Sequence, residues 1–495
     1  MSAGKPKGDR DVIPRWRNPR HPATRFELDP LRVEGRPVDR TGLREREGDW
    51  QANGTLGFAL DLVGTAVVLG PSQPAKEAAK LVLETPGTSE VARHASRRVL
   101  ASPDHEDLRS LSEPTNAEVR AQIHNLRERL RSDPRNAIAW AEAARHYTIL
   151  GERGKAAGCM RVAVGLMPDH RYVLRAAVRL AVHHGEFDRG HALVARAPRT
   201  PTDPWLVATE LATAGPAEAR PRFVRHGRRM LEDVSFSPRS MSELASALGT
   251  FELRGGSQRR ARRLIQDSLR APNDNAIAQG QWLSKQMPSV EIDEILLGES
   301  AEARAIRHGA AMESEQALQA AWEWHQDQPF ASGPGELGSY HASVAGKFEE
   351  GVRIAEASLK ANSNEFLLSN NLAFCLLKLD RANEAAKILD DIQTEDLDSD
   401  QVPTFLATRG LFEFRVGNPD LGRRHYRTAI QRSRSSNHRI LAKINFAVEE
   451  YRAGFFEEAM QLIREVLSAA RADSDPEVRA WMRRLPSPDN DFQRN

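Results

Sequence analysis

Along most of this chain, apolar residues recur every three or four positions and not every two, the spacing of one face of an α-helix. Trp140, Ala143, Ala144 and Tyr147 mark one such face. The pattern breaks at Gly151 and resumes with Ala156, Met160 and Ala163 before Pro168 stops it. Two short helices joined by a tight turn are predicted. Small residues such as Ala144, Ala156 and Ala163 let the helices approach, and Trp140, Tyr147 and Met160 fill the gaps left between them.

The unit repeats. Pro134 and Pro168 stand about 34 residues apart. The phase continues through Leu174, Ala177, Val178, Gly185, Phe187, Gly190 and Val194, then less regularly through Trp205, Ala208, Ala212 and Gly215. Leu244, Ala247, Leu248 and Phe251 lead to a turn at Gly255. Later units carry Gly346, Phe348, Gly351 and Ala355; Leu372, Ala373, Leu376, Ala382 and Ala385; Gly410, Gly417, Gly422 and Tyr426; and Phe446, Ala447, Gly454, Phe456 and Ala459. Such self-similarity over residues 133–470 predicts a helical solenoid. The large residue, small pair and aromatic of the first helix, and the Ala, large apolar residue and Ala of the second, resemble the tetratricopeptide repeat. The resemblance is to stand-alone bacterial members of that family. It implies an all-α fold, a tetratricopeptide-type helical-hairpin solenoid wound as a right-handed superhelix, here with a disordered N-terminal arm.

The expected organisation has six parts. Residues 1–48, rich in Pro, Gly and Arg, form the disordered arm. Residues 52–131 form a helical cap of diverged hairpins, and 133–272 a first array. Residues 273–330 keep helical periodicity without the small-residue pattern and form a divergent connector. Residues 331–473 form a second array, and 474–495 a capping helix with a polar tail. Trp16 stands between Arg15 and Arg17, flanked by Pro14 and Pro19. It is either a docking anchor for a partner or a residue that folds back onto the array.

Composition narrows the class. Hydrophobic residues are 40%, charged residues 28% and aromatics only 6% of the 495, a helix-forming mixture. A net charge of +2 gives no bulk attraction to nucleic acid. Arg far outnumbers Lys, as in GC-rich bacterial coding. The first residues are polar, and the most hydrophobic stretch, Leu56 to Leu69, contains Asp61 and is too short to span a bilayer, so a cytoplasmic protein with no membrane partner is expected. Cys159 and Cys375 stand far apart among apolar neighbours and read as buried thiols.

No catalytic, cofactor or metal constellation emerges. Gly333, Gly335 and Gly338 spell a dinucleotide-type glycine motif, but no strand precedes them and the phase puts them in a helix. His183 and His184 have no carboxylate at metal-ligand spacing. The resemblance instead implies that the first helix of each repeat lines a groove for an extended peptide or a helix. By repeat phase this assigns Arg145, Arg175, Arg179 and His183 to the groove of the first array, and Asn370, Asn371, Phe374, Lys378, Phe414 and Arg415 to that of the second. Glu336 and Tyr340 stand where the family's clamp for a chaperone's C-terminal carboxylate has its Lys and Asn, which argues against a co-chaperone. The expected function is a non-catalytic scaffold or adaptor for a protein or peptide partner, with a regulatory subunit of a bacterial complex within that reading. The alternative is a protein associated with RNA or DNA through Arg-rich second helices: Arg225, Arg228 and Arg229 on one, Arg259, Arg260, Arg262 and Arg263 on the next.

Overall fold

The computed structural model describes residues 10–17, 41–69, 72–101, 116–233, 236–469 and 475–486. The described residues contain helices and no strand. They fall into two compact units: residues 25–115 form one, and the remainder form the other.

The smaller unit contains α1 (Thr41–Asn53), α2 (Leu56–Leu69), α3 (Gln73–Glu84) and α4 (Glu90–Ala101). Its core is its own: Ala59, Leu62 and Val63 of α2 pack with Ala75, Ala79 and Val82 of α3 and Val99 of α4. The expected cap over 52–131 is therefore divided. Helix α5 (Asn116–Ser132) belongs to the larger unit, laying Leu126 and Leu130 on Ala139 and Ala143.

The array runs in two-helix hairpins, A then B. They are α6 (Ala137–Ile149) with α7 (Arg153–Leu166), α8 (Arg171–His183) with α9 (Phe187–Arg196), α10 (Pro204–Ala214) with α11 (Val224–Glu232), and α12 (Pro238–Arg254) with α13 (Gln258–Ser268). Next come α14 (Asp274–Ser284) and the one-turn α15 (Glu294–Gly298), then α16 (Ala301–Ala310) with α17 (Ser314–Asp327). The series closes with α18 (Gly333–Ala345) and α19 (Phe348–Leu359), α20 (Phe366–Lys378) and α21 (Ala382–Asp391), α22 (Gln401–Arg415) and α23 (Pro419–Arg432), α24 (Ser436–Arg452) and α25 (Phe456–Ala469), and finally α26 (Pro476–Met482). This is an all-α, tetratricopeptide-like helical-repeat solenoid.

One turn chemistry serves nine of these hairpins. A residue with positive φ follows each A helix: Gly151, Gly185, Glu218, Gly256, Met312, Gly346, Asp380, Gly417 and Gly454. The next N–H reaches back five residues to a carbonyl of the A helix, as Glu152 N does to Tyr147 O at 2.9 Å and Arg381 N to Leu376 O at 2.9 Å. This closure satisfies carbonyls that a helix end would leave unpaired. Two sequence expectations move slightly: Gly215 and Gly255 are not the left-handed residues, and Glu218 and Gly256 are. Many A helices also start on a side-chain cap, among them Asn136, Asp203, Ser237, Asn273, Ser300 and Ser435. Each such cap is worth about 1 kcal/mol.

The glycine motif sits inside α18 and serves packing. A Cβ at Gly335 would meet Ser358 and Leu368, and one at Gly338 would meet Ile354. The three glycines let α18 approach its neighbours closely. Cys159 and Cys375 are free thiols; Cys375 is fully buried, and burial pushes its pKa up to about 12.

The N-terminal arm departs furthest from expectation. Residues 10–17 are chain without helix or strand built into the array, turned tightly at Val12 by a bond from Ile13 N to Asp11 O at 2.7 Å, with Val12 and Trp16 each 1% exposed. The rest of the predicted arm before α1, and the polar tail after residue 486, lie outside the described residues.

Candidate functional site

The A helices share one face, and its first half holds residues 10–17. Arg10 donates to Glu302 at 2.8 Å, Gln279 at 2.6 Å and Asn275 at 2.9 Å. Asp11 accepts from Arg254 at 2.8 Å. Val12 enters a pocket of Val207, Leu211, Leu244 and Leu248. Arg15 pairs with Asp274 and Glu302, and Arg17 with Asp274 and Asp327. Trp16 fills a slot floored by the small residues Ala137, Ala141 and Ala144, its ring edge-on to Phe330 at 5.6 Å.

Backbone recognition accompanies the side-chain contacts. Gln279 Nε2 donates to the carbonyl of Arg10 at 2.9 Å, Asn275 Nδ2 to that of Ile13 at 3.0 Å, and Arg145 Nε to that of Trp16 at 3.0 Å. A carbonyl has the same shape whatever side chain follows it. These three bonds therefore fix the course of the backbone, while the acids and the Trp slot read the side chains. Burying Trp16 contributes about 3–5 kcal/mol, the usual cost of truncating a buried Trp to Ala. Its Nε1 nevertheless finds no acceptor.

The electrostatics are strongly coupled. Burial by itself would raise the Glu302 carboxyl, but Arg10, Arg15 and Arg179 together hold it down at about 2. Burial lowers Arg179 to about 10, against the pull of Glu302, and its guanidinium lies over the Phe330 ring at 4.9 Å. Burial, reinforced by Arg179 and His184, lowers His183 to about 3, so the imidazole is neutral beside Phe330 at 5.8 Å.

Of the residues assigned to the first groove, the structure brings Arg145, Arg179 and His183 together around Trp16 and Phe330. Arg175 is placed differently. It pairs with buried Glu243 at 2.8 Å and stacks over Trp205 at 5.0 Å, and Glu243 also accepts from Asn275 at 3.2 Å. Arg175 thus braces an amide that holds the segment. Sequence reasoning missed Asp274, Asn275, Gln279, Glu302, Asp327 and Phe330, all in the stretch set aside as a divergent connector. The available signal was complementarity: three Arg in a Pro-containing arm, and three acids on α14, α16 and α17.

The second half of the face is open. A cavity of about 770 Å³ lies among α18, α20, α22, α24 and α26. Trp324, Leu337, Leu367, Phe374, Pro403, Ala407, Leu441 and Trp481 give it apolar walls, and Asn370, Asn371, Gln401, Thr404 and Asn445 add uncharged polar groups. Asn370 is 4% exposed, and its Oδ1 has no hydrogen-bond partner. Asn371 donates to Ser339 at 3.0 Å, and Asn445 to Leu441 O at 3.1 Å. The C-terminal helix α26 forms one wall. Trp481 lies edge-on to Phe374 at 5.9 Å and donates to Tyr340, which is bonded to Glu477.

Asn370, Asn371 and Phe374 therefore line the cavity as assigned. Lys378, Phe414 and Arg415 do not. Lys378 and Arg415 converge on buried Glu449 at 2.7 and 3.0 Å, and Phe414 packs against the rings of Tyr426 and Phe446. A charge aimed inward beside a buried carboxylate neutralises it, and an aromatic one turn away fills the space between hairpins.

Arg225, Arg228 and Arg229 on α11, and Arg259, Arg260, Arg262 and Arg263 on α13, are exposed. Arg228 is paired with Glu252.

The fold and site define a class: a helical-hairpin solenoid that holds a segment on its A-helix face. No protein-family model matches the chain, and no curated protein matches it. Among solved structures, yeast Tom70 is similar at 12% identity and TM-score 0.30, over 89% of this chain and 93% of that one. The Cut9–Hcn1 hetero-tetramer of APC/C is similar at 12% identity and TM-score 0.35, over 90% and 92%. The human IFIT1 dimer with PPP-AAAA is similar at 12% identity and TM-score 0.31, over 90% and 97%. Likeness at this level carries no information about partners.

Proposed function

We propose that the chain is a non-catalytic scaffold that holds a segment of a partner protein in the open cavity of its second array, acting as an adaptor or regulatory subunit. The observation that carries this reading is the open cavity of about 770 Å³, whose largely apolar walls carry the amide side chains of Asn370, Asn371 and Asn445. Further support comes from within the molecule, because side-chain amides of the first array already hold a backbone. Selectivity would come from apolar side chains entering between Phe374, Ala407 and Leu441.

The test is capture of a partner by tagged protein from its native lysate, with and without nuclease, comparing wild type with Ala407→Arg. Ala407 is half-buried at the cavity wall, so the bulkier charged side chain blocks the cavity. A nuclease-resistant partner lost in the variant supports the reading. The same partner retained by the variant sinks it. A second reading, nucleic-acid binding, draws on exposed Arg225, Arg229, Arg259, Arg262 and Arg263, for which no carboxylate partner occurs among the described residues. It predicts nuclease-sensitive, salt-dependent capture that Ala407→Arg leaves intact.

A further inference from the structure

Residues 10–17 are bound the way a ligand is bound. They form no helix and pair with no strand, and side chains remote in sequence hold them: Arg10 meets a residue 292 positions away and Arg17 one 310 positions away. Three independent features make the site a built one. Asp274, Glu302 and Asp327 supply carboxylates for three guanidinium groups. An apolar slot takes an aromatic ring, and amides on α14 take main-chain carbonyls. Without the segment, Asp274 and Asp327 would lose the guanidinium groups paired with them, Glu302 would keep only the nearby Arg179, and an aromatic-sized slot would stand empty.

The fit is also incomplete in two places. Trp16 Nε1 and Arg15 Nε are buried without acceptors.

We infer that the first half of the A-helix face is a receptor site for a basic, tryptophan-anchored peptide of the pattern Arg-x-x-x-Pro-Arg-Trp-Arg, that residues 10–17 are its resident, exchangeable occupant, and that a partner protein carrying this chemistry binds by displacing them. The inference rests on reading the A-helix face as a peptide-holding surface, but it concerns the filled half and not the open cavity. Resident occupancy masks the site, because apparent affinity falls in proportion to the fraction of molecules with the site free.

The experiment uses the full chain and a fluorescein-labelled peptide spanning residues 8–19. In one protein variant, Arg15→Glu with Trp16→Ala vacates the site; a second adds Glu302→Lys. The vacated variant binds the peptide on the order of 10-fold or more tightly than wild type. Adding Glu302→Lys abolishes that binding, and a peptide with Trp→Ala does not bind. Absence of binding to a vacated variant with a native helical spectrum overturns the inference and makes the segment a fixed part of the fold. Equal binding by all three proteins also overturns it, because the peptide then sits elsewhere. Should the vacated variant fail to fold, excess isotope-labelled peptide is added to wild type and hydrogen exchange of its own residues 10–17 is followed. Accelerated exchange supports displacement, and unchanged exchange rules it out. Ala407→Arg leaves every one of these readings unaltered, which separates this inference from the proposal for the second cavity.

Discussion

The two halves of the A-helix face share hairpin geometry and turn chemistry but dispose of their carboxylates in opposite ways. In the first half, Asp274, Glu302 and Asp327 point at an inserted segment, which neutralises them. In the second, Glu449 is neutralised by Lys378 and Arg415 of the array itself, and Glu477 is bonded to Tyr340. What remains there is a mainly apolar cavity whose lining also carries amides and the side chains of Glu336 and Asp400. The contrast teaches that one scaffold can make two kinds of recognition surface. Where carboxylates dominate the surface the site selects charge; where apolar side chains dominate it, the site selects shape.

The largest effects should come from breaking the buried ion pairs. Glu449→Ala leaves Lys378 and Arg415 buried and facing one another, and costs about 3–5 kcal/mol in urea unfolding. Hydrogen exchange of residues 10–17 should stay unchanged; if it rises as well, the two halves are not independent. Glu302→Lys should have a comparable effect on the other side, with loss of protection at residues 10–17 and little change in the second array.

Acid offers a graded version of the same test. The Glu302 carboxyl is held below its ordinary 4.5, at about 2, so its contribution is complete above pH 4.5 and lost as pH falls through 2. That contribution is about 3 kcal/mol. The methyl resonances of Val12, followed by NMR, should therefore keep their buried shifts well below the usual carboxylate range. Release of Val12 already at pH 4.5 would mean that Arg10, Arg15 and Arg179 do not hold the carboxylate.

The smallest effects sharpen the contrast. Trp16→Phe removes an unpaired donor and some apolar area, opposing changes that should cancel to within about 1 kcal/mol in thermal unfolding. Arg259→Glu with Arg262→Glu lies on an exposed face, away from either site, and should alter stability by less than about 0.5 kcal/mol per substitution.

Hairpin structure was legible wherever the repeat used its ordinary alphabet. Ala144, Ala156 and Gly151 announce a close helix pair and its turn, and they form one. Register was harder to follow where Met312, Asp380 and Glu218 take the left-handed position, because no glycine marks it there. The connector looked divergent for a related reason: its second helix after α14 shrinks to the single turn of α15. Groove residues were only partly legible. Repeat phase identifies which side chains face inward, as with Arg145 and Asn370. It is blind to whether an acid on another hairpin is waiting for them, and that decided the places of Arg175, Lys378 and Arg415. Composition marked the arm as unstructured because it has too little apolar surface to fold alone; residues 10–17 take their shape from the array's surface instead.

The threading of residues 10–17 into helices made much later also sets an order of events during synthesis. Arg17 is translated 310 residues before its partner Asp327. At about 5–20 residues per second, that interval is on the order of 15–60 s. Most helix contacts join neighbouring hairpins, so the array can close progressively behind the ribosome, apart from long-range contacts such as Trp481 to Tyr340. The segment cannot join until α16 and Phe330 have emerged. Until then its indole and three guanidinium groups have no seat on the array, so residues 10–17 dock after the hairpins from α6 to α16 are made and while those from α18 onward are still being added.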